Sequence, residues 1–141
     1  MIAALEPFVA AGVFGPLNVR FAEALDRIAR AALGERGVGS ADVLIGAAAV
    51  SAALSRGDIC LELGRAALTL RPVDESAPLE SGPLPWPEPA AWREALAASP
   101  LTGDGRAATP LVLDGDRLYL HRYWDYQRRL TAALLARREG P

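Results

Sequence analysis

Residues 43–54 read "VLIGAAAVSAAL", a dozen positions without a charge. A helix that is apolar all round cannot face water along any side, so the rest of the chain must enclose it. It is also well short of the roughly 20 apolar residues that a membrane-spanning helix needs. The stretch therefore reads as a buried core helix. Ser40 or Asp42 would cap its start, and Arg56-Gly57 would end it. With 141 residues in total, the chain suffices for one domain around such a helix, spanning 1–141. Apolar residues make up 51%, but many are alanine, so the core is modest in volume.

The flanking segments supply the cover. Residues 2–11 place Ile2, Leu5, Phe8 and Val9 at helical spacing. Asn18 is a candidate N-cap for a second helix over 19–33, with Phe21, Leu25, Ile28 and Leu33 on its apolar side. "DICLELGRAALTLRP" is ambiguous: Ile59, Leu61 and Leu63 alternate as a strand would, while "LGRAALTL" suits helical turns. Residues 72–89 are proline-rich and are expected to cross the surface in extended form, pinned by Trp86. A short helix, "PAAWREALAAS", follows with proline in its first turn and Trp92 and Leu96 on its buried side.

The strongest local signal lies in residues 110–123, where Asp-Gly between two apolar runs marks a β-hairpin. A two-residue Asp114-Gly115 loop of type I′ would pair Leu111 with Leu118 and Leu113 with Asp116. Leu111, Leu113, Leu118 and Leu120 then share one face, and Val112, Tyr119, His121 and Tyr123 the other. A one-residue slip would scatter the leucines. The final helix is expected over 124–138, starting near Trp124 or Asp125. Tyr126, Leu130, Ala133 and Leu134 would form its buried stripe, flanked by Trp124, Thr131 and Leu135. The fold class is thus mainly α with a small β-hairpin (α+β).

Chemistry-bearing residues are few. All 15 basic residues are arginine. Without lysine the chain can form neither a phosphate-binding P-loop nor a Schiff base on its own. A single cysteine, Cys60, excludes an internal disulfide and a cysteine-rich zinc site, and its apolar neighbours suggest a small buried hydrophobe. Asp114-Gly115-Asp116 lacks the further oxygen ligands and closing glutamate of a calcium loop. His121 as a base would need a nucleophile and an orienting acid; Cys60 and Asp125 are conceivable, but nothing in their spacing selects them. Tyr119, Tyr123 and Trp124, beside Arg117, Arg122, Arg128 and Arg129, could stack on single-stranded nucleic acid. The net charge of −2 provides no basic field for it. The segment "MIAALEPFVAAGVFGPL" lacks a basic n-region and carries Glu6, so it is a poor signal peptide and a cytoplasmic location is expected.

These residues also carry a resemblance. "PLVLDGDRLYLHRYWDYQRRLTAAL" (110–134) resembles the end of the N-terminal domain of RecD, the α subunit of the RecBCD helicase–nuclease, exodeoxyribonuclease V. "WREALAASPLTGDG", "VLIGAAAVSAALSRGDICLEL" and "LNVRFAEALDRIAR" resemble earlier parts of that domain, in the same order. Asp58 departs from the pattern, standing where the family commonly has histidine. The resemblance implies a RecD N-terminal domain without the helicase motor, whose P-loop lies downstream in the family. Full-length subunits of this kind are 5′–3′ DNA helicases that use ATP and magnesium and act in double-strand break repair and recombination. The N-terminal domain would be noncatalytic and without a cofactor of its own, docking the motor subunit onto RecC and through it to RecB. The alternative is a single-stranded DNA-binding or general protein-interaction module. An aromatic corner suits an interface, and Tyr119, His121 and Tyr123 are the candidate partner-binding residues.

Overall fold

The computed structural model describes residues 2–34, 40–72 and 83–139. A 3₁₀ turn (Ala3–Leu5) leads into α1 (Glu6–Ala10), followed by α2 (Pro16–Leu33) and α3 (Ala41–Ser55). Next come β1 (Leu61–Glu62), a 3₁₀ turn (Leu63–Arg65) and α4 (Ala66–Thr69). The chain continues through α5 (Pro89–Ala98), β2 (Thr102–Gly103), β3 (Leu111–Asp114), β4 (Arg117–Leu120) and α6 (His121–Glu139). The strands form one sheet in the order β1-β4-β3-β2, with β2 parallel to β3 and the other pairs antiparallel. The fold is mainly α with a small β part, as expected.

The apolar helix α3 is the centre. Every residue from Val43 to Ala53 is buried. Its start is capped by Ser40, whose Oγ accepts from the Val43 N–H at 3.4 Å, and Asp42 adds a negative charge in the first turn. Its end is fixed by Gly57 at φ +97°, a conformation side chains rarely adopt. Arg56 then donates to the carbonyls of Thr69 (3.0 Å) and Arg71 (2.8 Å), tying α4 to the end of α3. The ambiguous segment is both things in turn, two residues of strand and then a helical turn.

At Gly46, two elements converge on α3. A Cβ there would stand 3.1 Å from Leu96, 3.3 Å from Trp92 and 3.4 Å from Leu118. The missing side chain lets α5 and β4 close onto the central helix. The Trp92 indole N–H donates to the Asp42 carbonyl at 2.8 Å, which fixes α5 lengthwise. Trp86 anchors the end of the proline-rich segment: its ring lies 4.6 Å from Phe8, 5.9 Å from Trp92 and 6.1 Å from Phe14. Positions 73–82 of that segment lie outside the described residues.

Asn18 is not the N-cap of α2. The helix starts earlier, with Gly15 as cap and Pro16 in the first turn. Asn18 instead stands one turn in, where its Oδ1 accepts from the Gly15 N–H (2.9 Å) and its Nδ2 donates to Ser51 Oγ on α3 (2.9 Å). The buried side of α2 is Asn18, Val19, Ala22, Leu25 and Ala29. Phe21 only flanks the core and Ile28 is 59% exposed. Small residues at 22 and 29 permit close approach to the alanine-rich α3, and this rotates the bulkier Phe21 and Ile28 to the edge.

The hairpin keeps its faces but not its register. Leu113 pairs with Leu118, Leu111 with Leu120, and Val112 with Tyr119, so the loop is Gly115-Asp116 rather than Asp114-Gly115. A slide of two residues preserves parity, which is why the four leucines still share a side. Gly115 has φ +60°, and no non-glycine residue among those described has positive φ. These signs belong to a type II′ turn rather than type I′, and they spare both aspartates the left-handed conformation.

Candidate interaction surface at the hairpin corner

The hairpin corner holds the expected site residues, and the structure separates them. Tyr119 is on β4 and is only 3% exposed. His121 is half-buried and is the first residue of α6, not a continuation of the strand. The ladder ends there: the His121 N–H donates to the Pro110 carbonyl at 3.0 Å, and the chain turns into helix. Helix α6 therefore begins three residues earlier than the sequence suggests, and the alternation placing Tyr119, His121 and Tyr123 on one face does not hold. The side chain of Tyr123 lies outside the described residues, as do those of Trp124 and Tyr126.

Around Tyr119 the polar groups form a chain. Its hydroxyl is hydrogen-bonded with the Cys60 thiol and with the Arg117 guanidinium. Arg117 also faces Glu62 across the β1–β4 pair at 3.8 Å. Burial pushes the Cys60 thiol above its usual range, against the lowering pull of Tyr119 and Arg117. Burial likewise raises Tyr119, and the hydrogen bond with Tyr119 raises Arg117 further. A thiol held protonated is a poor nucleophile. Cys60 is half-buried rather than buried, at the wall of an open cleft of about 250 Å³ lined by residues 58–62, Arg65 and Thr69. Asp58, at the position where the family resemblance leads one to expect histidine, is part of that wall.

Two features bear on binding. His121 Nδ1 is a buried atom with no hydrogen-bond partner, so the ring has an unmet polar group. Tyr119 offers no free ring face on which a base could stack. Among the described residues no three His, Cys, Asp or Glu side chains are gathered as a metal site requires. No helix among them is long and apolar enough to cross a membrane.

The apolar surface lies elsewhere, in part at positions the sequence suggests are buried (Ile28, Leu130, Leu134). On α2, Leu17 is 70% and Ile28 59% exposed. With Phe21 and Ala24 between them, at spacings of four, three and four, they make an outward strip beside the buried one. On α6, Leu130, Leu134 and Leu135 are 48%, 55% and 52% exposed, and every residue from 129 to 137 is exposed. Leu130, Ala133 and Leu134, expected to lie on a buried stripe, are exposed, and Leu135 beside them is too. The periodicity of the stripe was legible; its exposure was not.

Comparison with known proteins adds the context for these surfaces. The family model described as "RecBCD enzyme subunit RecD, N-terminal domain" matches residues 10–119. The RecBCD enzyme subunit RecD of Mycolicibacterium smegmatis is 38% identical over 96 residues, covering 68% of this chain and 15% of that protein. The protein of the same description from Mycobacterium tuberculosis is 34% identical over 135 residues, covering 94% of this chain and 20% of the relative. The chain thus spans a fifth or less of the length of these relatives. The match to the family model stops at Tyr119, just before α6, whereas a match over 94% of the chain reaches into that helix.

Proposed function

The chain belongs to the family of RecD N-terminal domains, and from that premise we propose that it is a noncatalytic assembly domain, docking a RecD-type subunit onto RecC within a cytoplasmic RecBCD helicase–nuclease. The observation that carries this reading is the match itself, which falls on the N-terminal domain of proteins five or more times longer than the matched stretch. Such a domain needs a surface rather than an active site. A raised thiol without a base beside it and a chain with no lysine support that reading. ATP and magnesium would be used by the motor of the whole subunit, not by this chain.

The outward strip of α2 suits the docking role. Leu17 and Ile28 stand three turns apart on one side, flanked by Arg20 and Arg27, which is how an amphipathic helix presents anchors to a groove. Of the three residues at the hairpin corner, His121 is the described side chain a partner can reach. Tyr119 acts from inside, linking β4 to Cys60.

The test is capture of Mycolicibacterium smegmatis RecC by the tagged 141-residue chain, with full-length RecD as positive control. The expected result is capture by both, no ATPase activity from the chain, and at least tenfold weaker capture by a Leu17→Glu/Ile28→Glu variant. Capture by full-length RecD but not by the chain would sink the proposal. Salt-dependent binding of oligo-dT by the chain alone would instead favour the single-stranded DNA reading.

A further inference from the structure

We infer that α6 is an interdomain docking helix, and that its leucines are covered by the part of the polypeptide that follows the N-terminal domain in full-length RecD subunits. Three observations converge. First, α6 leaves the domain after its opening residues: it packs against β3 and β4, and every residue from 129 to 137 is exposed. An isolated helix of this length is marginal in water, so a rod carrying three half-exposed leucines needs a neighbour. Second, the match to the family model ends at Tyr119, while the Mycobacterium tuberculosis relative aligns into α6. The helix is therefore shared with full-length subunits. About four-fifths of those subunits lies outside the matched stretch, and the domain is N-terminal in them, so that polypeptide emerges from the end of α6.

Third, charge argues against a second copy as occupant. Residues 121–139 contain five arginines against Asp125 and Glu139, a net of +3, and the remainder of the chain carries −5. Two α6 helices side by side would set like charges together, which disfavours pairing. Phosphates would meet the arginines but leave the leucines in water. An acidic, apolar protein surface satisfies both. The inference stands on family membership and on the geometry of α6, and does not require RecC.

Hydrogen exchange tests it with two proteins: the 141-residue chain alone, and the same chain joined to the remainder of the Mycolicibacterium smegmatis subunit in place of that protein's matched stretch. Amides of 129–137 should exchange freely in the first and at least tenfold more slowly in the second. Leu130→Glu/Leu134→Glu should abolish the difference. Equal exchange in both proteins would overturn the inference, as would protection in the isolated chain that grows with concentration, the sign of a second copy. A further measurement needs only the isolated chain. The double variant should leave its melting temperature unchanged, because those leucines lie outside the core cluster, and a clear drop would also overturn the inference. RecC is absent throughout, so the result is separable from the docking experiment above.

Discussion

Asn18 joins the start of α2 to the middle of α3 through two hydrogen bonds, and removing it tests whether the domain is held there by polar as well as apolar contact. Its Oδ1 takes the Gly15 N–H and its Nδ2 gives to Ser51 Oγ, with Asn18 6% and Ser51 8% exposed. Asn18→Ala loses a capping interaction of about 1 kcal/mol and a buried hydrogen bond of about 1 kcal/mol, roughly 2 kcal/mol together. Ser51→Ala loses the second bond and also strands the amide N–H in the core, for about 1–2 kcal/mol. The double variant no longer has a stranded group, so it should cost about as much as Asn18→Ala alone, a non-additivity of about 1 kcal/mol or more. Urea unfolding measures all three. With a slope of about 2 kcal/mol/M, the midpoint for Asn18→Ala should fall by about 1 M. Additivity within about 0.3 kcal/mol would refute the coupling and leave Asn18 as a cap alone.

Two further predictions concern titration. Tyr119 lowers the Cys60 pKa against the rise from burial, so Tyr119→Phe should push it higher still. The rate of iodoacetamide labelling at a fixed pH near 8 should fall, and its pH profile should move upward; faster labelling would contradict the hydrogen bond. Glu88 caps α5, its carboxylate accepting from the N–H groups of Ala91 (2.9 Å) and Ala90 (3.0 Å), and these bonds hold its pKa below the usual glutamate value. A depressed carboxylate stabilises the fold above its unfolded pKa and loses that contribution as pH falls through the folded one. The stability gap between the wild type and Glu88→Ala, read by urea unfolding, should therefore be full at pH 7 and shrink below pH 4.5. A gap that does not change with pH would rule out the charged cap.

What could be read from the sequence was what has one physical solution. An all-apolar dozen has to be enclosed, and α3 is. Four leucines at even spacing had to share a side, whichever two-residue loop closed the hairpin. The register itself was decided by Gly115, which could satisfy a type II′ turn alone where a type I′ turn would have needed a second left-handed residue. On α2 the apolar arc was wider than one neighbour could cover. Periodicity gave the arc, and the close approach to α3 chose Val19, Ala22 and Ala29 over Ile28. For the candidate site, the sequence located the corner but put its ring residues on a single strand face. The early start of α6 at His121 depends on a backbone bond to Pro110, which no periodicity reports.

The two uncovered faces differ in what they need from a partner. Full burial of a leucine or isoleucine contributes about 1.5–3 kcal/mol, and Leu17 and Ile28 together offer only a few kcal/mol. Bringing two separate proteins together costs an estimated 4–15 kcal/mol, so the α2 strip could not hold RecC unaided and would need anchors around it. On α6 the arithmetic changes, because a segment tethered to the end of the helix is already at high effective concentration. Three half-exposed leucines would then be enough to keep such a segment in place. The same kind of surface would thus be a minor share of the proposed intermolecular contact on α2 and a sufficient intramolecular one on α6. Substitutions on α2 should accordingly weaken RecC capture by degrees, whereas those on α6 should release the helix outright.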